Sequence, residues 1–181
     1  MSLIRENSSS SKQAVILVFD TSAFLAKYHL QIPDSRYKIY TTPSVISEVK
    51  DTENKQALEI GIMVGRIIVE QPSSSSIDKA KKTAKRIGEI ASLSKTDIEV
   101  AALALEKSSN YKVVVFTDDY SLQNLLYHLE ISFKPLRTRG IKKTMKYKVF
   151  CPVCGYIPSR PGEDICPLCG SKIVKRKTTF S

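Results

Sequence analysis

No cysteine occurs before residue 151 of this 181-residue chain, and no apolar run approaches the length of a membrane span. A transmembrane helix needs about 20 predominantly apolar residues, so we expect neither a membrane anchor nor a membrane partner. Residues 1–12 carry a run of serines where a secretory signal would have its apolar core, which predicts a disordered leader. All four cysteines fall within residues 151–169, which is no secreted disulfide pattern, and we expect a cytoplasmic protein.

Several familiar catalytic motifs are also missing. The chain has neither the glycine-rich phosphate loop of nucleotide hydrolases nor the GxGxxG motif of dinucleotide-binding proteins. Its two histidines, His29 and His128, fall in apolar or mixed helical patterns, which favours packing or surface roles over catalysis. The cysteines form a separate C-terminal motif, which leaves no cysteine nucleophile. Carboxylates are the remaining candidates for catalysis.

The positive charge of the chain is concentrated at its C-terminal end. The net charge is +10; residues 1–133 hold 16 Lys and Arg against 16 Asp and Glu, whereas residues 134–181 hold 12 against 2. A concentrated basic segment indicates a polyanionic partner, and RNA or DNA fits better than a membrane because no basic amphipathic helix is visible. A solvated tail that only improves solubility is the alternative.

Short apolar runs alternate with helical patterns over residues 13–134. Val15–Phe19 and Val113–Thr117 are uninterrupted runs of β-branched and aromatic residues, as in strands buried on both faces of a parallel sheet. The other predicted segments are strands at 39–41, 67–69 and 131–133 and helices from 43, at 55–65, 77–91, 94–107 and 121–130. This order predicts an α/β fold with a parallel sheet flanked by helices, then a basic linker over 135–149 and a small module over 150–181.

Five carboxylates lie at the ends of predicted strands or within the helices beside them. They are Asp20, Glu48, Asp97, Asp118 and Asp119. Ligand sites of open α/β sheets lie beyond the carboxyl ends of the strands, so we expect these side chains to converge in one crevice. Each of them taken singly could instead be a helix cap, a turn residue or an exposed side chain.

Converging carboxylates repel one another unless a cation lies between them. Mg²⁺ and Mn²⁺ take oxygen ligands and retain water molecules, so either ion suits such a crevice. A bound ion can activate water near neutral pH and can stabilise charge on a phosphate. The acids therefore predict metal-dependent cleavage of a phosphodiester, an anion that they would otherwise repel.

The order of these acids, with the residues around them, resembles the PIN-domain nucleases. The similar segments are Phe19-Asp20-Thr21-Ser22-Ala23-Phe24, Glu48, Leu93-Ser94-Lys95-Thr96-Asp97 and Phe116-Thr117-Asp118-Asp119-Tyr120-Ser121-Leu122-Gln123-Asn124. The resemblance implies a metal-dependent ribonuclease with Asp20 and Asp97 as central magnesium or manganese ligands and Glu48 as a ligand or a contact to metal-bound water. Asp119 is the expected further ligand, with Asp118 open as its alternative, and Thr117 is expected to hold an acid or a water.

The cysteines form the most specific motif of the chain, CPxCG repeated with eleven residues between the two cysteine pairs. Each CxxC turn presents two thiolates to one tetrahedral ion, and the following glycine permits the tight turn. The motif predicts a structural zinc ribbon over residues 150–181, with a rubredoxin-type iron site as the alternative. Its ligands are Cys151, Cys154, Cys166 and Cys169. So short a module has little core, so metal binding is expected to drive its folding.

Basic residues flank the cysteine module on both sides. They are Arg137, Arg139, Lys142, Lys143, Lys146 and Lys148 before it and Lys172, Lys175, Arg176 and Lys177 after it. Tyr147, Phe150 and Tyr156 lie among them, and cations interleaved with aromatic rings favour RNA contact through phosphate attraction and base stacking. We expect these residues to bind RNA; a ribbon that only fastens the chain end is the alternative.

A PIN-like domain followed by a basic linker and a zinc ribbon resembles the Nin-one-binding protein family. The segments Ser94–Asp97 and Thr117–Asn124 are close to that family's, and the similarity extends over essentially everything after residue 12 of a short, archaeal-type chain. It implies an endoribonuclease that cleaves the small-subunit (16S) rRNA precursor at its mature 3′ end in a pre-ribosomal particle, with an assembly factor as a further partner. A toxin-type PIN ribonuclease acting on tRNA or mRNA and a non-catalytic RNA-binding assembly factor are the alternatives.

Overall fold

A computed structural model describes residues 14–32, 37–141 and 145–178 of the chain. The predicted leader over residues 1–12 and the predicted RNA contacts Lys142 and Lys143 lie outside the described residues. Among the helices in the described ranges, none is long and apolar enough to cross a membrane.

Five parallel strands form the central sheet. They are β1 (Val15–Phe19), β2 (Lys38–Thr41), β3 (Ile67–Val69), β4 (Lys112–Phe116) and β5 (Ser132–Lys134). Their order is β3-β2-β1-β4-β5, and every neighbouring pair is parallel. The predicted parallel α/β sheet is confirmed, and the two most apolar runs, β1 and β4, lie side by side at its centre.

Seven helices connect and cover these strands in the described part of the chain. They are α1 (Thr21–Leu25), α2 (Tyr28–Gln31), α3 (Pro43–Glu48), α4 (Thr52–Met63), α5 (Ser74–Ile87), α6 (Lys95–Lys107) and α7 (Tyr120–His128). α6 packs against β1 and β4. Its alanines at 101, 102 and 104 are fully buried and, being small, allow the helix to lie close to the sheet.

α5 begins and ends earlier than the helix predicted over 77–91. Ser73, in a run of serines over residues 73–76, caps the start of the helix, since the Ser76 N–H donates to Ser73 Oγ at 3.3 Å. Gly88 ends the helix in the left-handed conformation, with a φ of 73°. The apolar periodicity continues through Ile90, and a single glycine does not interrupt it. This explains why the sequence predicts a helix that extends beyond Gly88.

The C-terminal module contains two antiparallel strands, β6 (Tyr147–Phe150) and β7 (Val174–Lys177). The two CPxCG turns lie between these strands in sequence. β6 begins at Tyr147, inside the stretch predicted as linker. The prediction missed this strand because the alternation of polar and apolar residues there is too short to indicate one. We call residues 147–178 the ribbon and residues 14–134 the main domain.

Gly88 lies where the ribbon meets the main domain. A Cβ atom at this position would lie 1.9 Å from the carbonyl oxygen of Tyr147 and 2.9 Å from the Tyr147 Cβ. The positive φ of Gly88 is itself costly for any other residue. Glycine therefore lets β6 approach the end of α5 at backbone contact distance.

Replacing Gly88 with alanine should displace β6 from α5 and lower the melting temperature by about 5–10 °C, since overpacking costs about 1–3 kcal/mol beyond the backbone strain. Gly65→Ala is the matched control, because Gly65 has a similar φ of 70° but nothing within 4 Å of the added Cβ. Thermal unfolding and protease sensitivity of the 135–146 segment measure the effect. Equal losses in both variants would show that backbone strain alone is responsible.

Candidate metal and RNA site

The carboxyl ends of β1 and β4 bring Asp20 and Thr117 together. Phe19 and Phe116 are paired across the two strands, so the residue after each occupies the same edge of the sheet. The Thr117 hydroxyl donates a hydrogen bond to Asp20 and accepts one from the Asp119 N–H at 3.1 Å. The expectation that Thr117 holds an acid is confirmed, and this fully buried threonine joins the two acidic segments.

Glu48 reaches the same edge from the end of α3. Its carboxylate accepts a hydrogen bond from the Thr21 hydroxyl at 2.5 Å, and Thr21 directly follows Asp20. The side chain is exposed to solvent, as an acid that contacts a hydrated ion would be. The structure thus places Glu48 at the rim of the crevice that contains Asp20.

Asp97 forms a capping box with Ser94 at the start of α6, so one of the alternative roles considered for these acids, the helix cap, is present here. Asp97 Oδ2 accepts from the Ser94 N–H at 2.7 Å, and the Asp97 N–H donates to Ser94 Oγ at 3.1 Å. Capping is only part of its environment. Burial, together with the smaller effects of the charges of Asp119 and Asp20, raises the pKa of Asp97 to about 6 against the two Ser94 hydrogen bonds.

The buried Asp20 carboxyl also has a raised pKa. Burial is the main cause; hydrogen bonds from Thr117 and Ser22 oppose it, and the charge of Asp119 adds to it. Asp20, Asp97 and Asp119 come from three separate segments, yet their charges act on one another across one crevice. This mutual influence supports the prediction that these three acids lie near one another.

Asp118 has a different environment from its neighbour Asp119. Its Oδ1 accepts hydrogen bonds from the N–H groups of Leu136, Arg137 and Thr138 at 2.8, 2.9 and 3.1 Å. Burial by itself raises the pKa of Asp118, but these hydrogen bonds outweigh burial and lower the pKa to about 2. Asp118 thus holds the start of the basic linker.

Asp119 begins α7, and its Oδ1 accepts from the Leu122 N–H at 2.6 Å. The side chain is exposed, and its charge acts on both Asp20 and Asp97. Between the two neighbouring aspartates, these contacts favour Asp119 over Asp118 as the residue that shares a cation with Asp20 and Asp97.

The carboxylates have the chemistry of a site for a hard divalent cation. All their donor atoms are oxygens. The pKa values of Asp20 and Asp97 are raised mainly by burial and further by neighbouring carboxylates, and a cation would favour the charged form of both groups. They do not form a closed set, since in the described ranges only the cysteine sulfurs form a group of three or more donors within 4.8 Å of one another. An open, acidic site of this kind suits Mg²⁺ or Mn²⁺, which retain water ligands.

The four cysteines fit a tetrahedral metal. Their sulfurs all lie within 4.8 Å of one another, with Cys151 to Cys169 at 3.4 Å and Cys154 to Cys166 at 3.5 Å. A tetrahedral ion with ligands at about 2.3 Å places its sulfurs about 3.8 Å apart, close to this arrangement. The two turns are alike, with the N–H of Gly155 and of Gly170 donating to the carbonyl of the first cysteine of its own turn. The group could therefore hold zinc.

A buried polar network that sequence analysis missed joins the ribbon to the main domain. Glu89, only 2% exposed, accepts hydrogen bonds from Asn124 Nδ2 at 2.9 Å and from Lys175 Nζ at 2.6 Å. Asn124 also exchanges hydrogen bonds with the backbone of Met145. The charge of Glu89 interrupts an apolar pattern between Gly88 and Ile90, and this interruption is visible in the sequence. Its partner Lys175 lies 86 residues away, however, and no local signal identifies it.

Three of the residues predicted to bind RNA make contacts that fix their orientation. Lys175 is held by Glu89 and lies 4.0 Å from the centre of the Tyr147 ring. Lys148 and Arg176 face each other across β6 and β7, and both lie within 6 Å of the centre of the Phe150 ring. Lys175 thus supports the ribbon, whereas Lys148 and Arg176 form an exposed basic pair over an aromatic ring.

The other predicted RNA contacts are exposed within the described ranges. They are Arg137, Arg139, Lys146, Lys172 and Lys177. Arg137 also forms an ion pair with Asp118, its Nε lying 3.4 Å from Oδ2, while 65% of its side chain stays exposed. Exposed cations on the linker and ribbon provide the electrostatic surface that an RNA backbone requires.

Binding of Mn²⁺ should weaken below pH 6. The pKa of Asp97 rises from 3.8 to about 6, so its carboxyl takes up a proton as the pH falls through 6, and a cation must then displace that proton. Without a cation, the free energy of unfolding should fall as the pH rises from 3.8 to about 6, because the folded carboxyl holds its proton more tightly than the unfolded one. We expect Mn²⁺ to raise the melting temperature at pH 7.5 and to have little effect at pH 5; equal shifts would contradict this assignment.

Comparison with known proteins gives the family context of this site. The chain matches the family model described as the PIN domain of ribonuclease over residues 17–106, which include Asp20, Glu48 and Asp97. It is 40% identical over 164 residues to the endoribonuclease Nob1 of Pyrococcus abyssi, covering 89% of this chain and 94% of that protein. It is 37% identical over 134 residues to the ribonuclease VapC3 of Aeropyrum pernix, covering 74% and 93%. It is 32% identical over 101 residues to the 20S-pre-rRNA D-site endonuclease NOB1 of Saccharomyces cerevisiae, covering 56% and 22%.

Proposed function

Since this chain belongs to the family of archaeal Nob1 endoribonucleases, we propose that it cleaves the small-subunit (16S) rRNA precursor at its mature 3′ end with the help of a divalent cation. The name of the yeast relative specifies a pre-rRNA as the molecule that it cuts. The concentration of the whole net charge of +10 in residues 134–181 supports an RNA substrate. A pre-ribosomal particle in the cytoplasm is the proposed setting, with an assembly factor as a further partner.

The observation that carries the proposal is the shared electrostatic environment of three acids. Asp20, Asp97 and Asp119 reach one edge of the sheet from β1, α6 and α7, and the pKa of Asp97 is raised by both of the others. A helix cap needs no second and third carboxylate near it, whereas a cation site does. A cation bound there would supply Lewis-acid activation of water and would stabilise negative charge at the phosphate.

The residues of the chain have distinct roles in this proposal. Asp20, Asp97 and Asp119 hold the cation, with Glu48 at its hydrated side. Thr117 fixes the orientation of Asp20 through its hydroxyl. Asp118 positions the linker, and the exposed cations of linker and ribbon hold the RNA backbone. Zinc at the four cysteines would keep the ribbon folded.

Cleavage of a defined RNA tests the proposed function. The substrate spans the mature 3′ end of the small-subunit rRNA with its precursor extension, and the wild type is compared with Asp20→Asn in Mg²⁺ or Mn²⁺. We expect cutting at the mature end by the wild type only. Cutting at many unrelated sites would favour the toxin-like alternative, and tight binding without any cutting would favour a non-catalytic assembly factor.

Asp118→Asn and Asp119→Asn should affect different steps. Asparagine caps helices about as well as aspartate, so Asp119→Asn should fold normally yet lose cleavage by about a hundredfold or more as a cation ligand is neutralised. Asp118→Asn should leave the single-turnover rate within about threefold and weaken RNA binding, because the linker loses charge-assisted hydrogen bonds. The opposite pattern in rate and affinity would reassign the two residues.

A further inference from the structure

A cavity of about 520 Å³ lies between the main domain and the ribbon, beside the acidic crevice. Its lining includes Tyr120 and Ser121, the first two residues of α7, which directly follow Asp119. Glu89, from the segment between α5 and α6 that leads to Asp97, also lines the cavity. Two of the segments that carry the acids thus also line this cavity, which places it next to the reacting phosphate of the proposed function.

The ribbon completes the cavity with Tyr147 of β6 and Lys175 of β7. Tyr120 is 53% exposed, so its ring is available to a ligand in the cavity. Tyr147 has Lys175 Nζ 4.0 Å from its ring centre, which holds its orientation. Two aromatic rings from different elements can provide stacking surfaces for a flat aromatic ligand, and the volume lies within the usual range of about 300–1,000 Å³ for ligand pockets.

Glu89, Asn124 and Lys175, three polar residues of the cavity lining, are already joined by hydrogen bonds. Glu89 accepts from Asn124 at 2.9 Å and from Lys175 at 2.6 Å, and Asn124 Oδ1 accepts from the Met145 N–H at 3.2 Å. A ligand that depended on hydrogen bonds to these groups would have to break this network. A ligand that binds through its ring faces would not.

We propose that this cavity holds one unpaired nucleobase of the RNA, stacked on Tyr120 and Tyr147, at a nucleotide close to the phosphodiester that is cut. The inference rests on the proposed function for the identity of the substrate. It adds that the ribbon contributes directly to positioning the reacting strand, besides attracting the RNA backbone. Because Glu89, Asn124 and Lys175 are paired with one another, the base is recognised mainly by its ring face, and sequence preference at this nucleotide is weak.

Affinity measurements with abasic RNA test this inference. A single-stranded RNA spanning the mature 3′ end is synthesised with one abasic residue at each position in turn, and fluorescence anisotropy gives each Kd without added divalent cation, so that no cutting occurs. We expect one position near the cleavage site where the abasic residue weakens binding by about 5- to 150-fold, as the loss of one base–aromatic stack predicts. Exchanging the base at that position should change Kd by less than about threefold.

Variants of α7 supply the controls. Tyr120→Ala should remove the sensitivity to the abasic residue, and Tyr120→Phe should retain it, since phenylalanine keeps the ring. Tyr127→Ala is the matched control, because Tyr127 lies on the same helix, is 57% exposed and lies outside the lining of this cavity. It should retain the sensitivity.

The result that overturns the inference is an abasic scan with no such position, or one that Tyr120→Ala leaves unchanged. A protein that cuts at the mature 3′ end with equal rates on intact and abasic RNA would keep the proposed function and lose the base pocket. A protein that shows the Tyr120-dependent abasic effect and never cuts RNA would keep the base pocket and lose the proposed function.

Discussion

Replacing Asp97 with asparagine should reduce RNA cleavage by about a thousandfold or more, while the fold and the affinity for RNA stay close to those of the wild type. The charges of Asp20 and Asp119 affect the pKa of Asp97, and a cation would bind among these three acids. The negative charge of Asp97 would then be needed to bind that cation. A catalytic cation contributes several kcal/mol of stabilisation to the transition state, and about 4 kcal/mol corresponds to about a thousandfold in rate.

The same substitution should not destabilise the protein in the absence of a cation. Burial and the two neighbouring acids disfavour the charged form of Asp97, so a neutral amide removes a repulsion. The amide oxygen can still accept the hydrogen bond from the Ser94 N–H, which preserves the capping box. Loss of activity would therefore reflect chemistry and not unfolding.

Single-turnover cleavage and RNA anisotropy measure the two effects separately. Asp78→Asn is the matched control, because Asp78 is an exposed aspartate on α5 and should keep the wild-type rate. Turnover close to wild type in Asp97→Asn would remove Asp97 from the mechanism. A large loss of RNA affinity would instead indicate that Asp97 supports the RNA-binding surface.

Removing the metal proposed to bind at the four cysteines should unfold residues 147–178 and leave the five-stranded sheet folded. Zinc binding in small structural sites contributes about 10–16 kcal/mol, more than the few buried apolar side chains of this module can supply. Cys166→Ser should have the same effect as a chelator. Cys166 is only 1% exposed, so a water molecule cannot take the place of its thiolate as a metal ligand. RNA affinity should fall by about tenfold or more with the loss of the basic strands.

Metal analysis and hydrogen exchange of the two segments test this prediction. Leu168→Ser is the matched control, since Leu168 lies in the same turn as Cys166, is 72% exposed and supplies no thiolate. It should retain one metal per chain and normal protection in β6 and β7. Persistent protection of the ribbon after complete metal removal would show that packing on Gly88 and Glu89 suffices to fold it, and iron in the purified protein would change the metal assignment.

The main domain and the ribbon depend on each other through two contacts, an ion pair and a backbone contact. Lys175 of β7 pairs with the buried Glu89, and the Tyr147 carbonyl of β6 packs on Gly88. An unfolded ribbon would leave the Glu89 carboxylate without its lysine, at a cost that a buried charge makes substantial. The ribbon is therefore expected to influence the cavity beside the acids even though it supplies none of them.

Some predictions were accurate because they rest on local signals. The apolar runs Val15–Phe19 and Val113–Thr117 are too rich in β-branched and aromatic residues for exposed segments, and both form central strands. The capping box from Ser94 to Asp97 is a four-residue pattern that forms within one turn of helix. Paired CxxC turns specify their own geometry in five residues each. In each case the residues that interact are close in sequence.

Other features required contacts between distant residues. Asp118 and Asp119 are adjacent and chemically identical, and only the position of the 136–138 backbone separates their roles. Lys175 is predicted to contact RNA because of its charge, yet its ammonium group donates a hydrogen bond to Glu89. Gly88 was overlooked because nothing within the sequence near it indicates that Tyr147 packs against it.

The sequence by itself determined the parallel α/β class, the set of acids at the strand ends, the cysteine ligands and the basic C-terminal end, because periodicity, capping and CxxC spacing act within a few residues. Tertiary structure decided which of two adjacent aspartates shares the crevice, how the ribbon is attached, and that a cavity with two tyrosine rings lies beside the acids. These depend on hydrogen bonds and packing between segments up to 97 residues apart, whose pairing is fixed only when the whole chain folds.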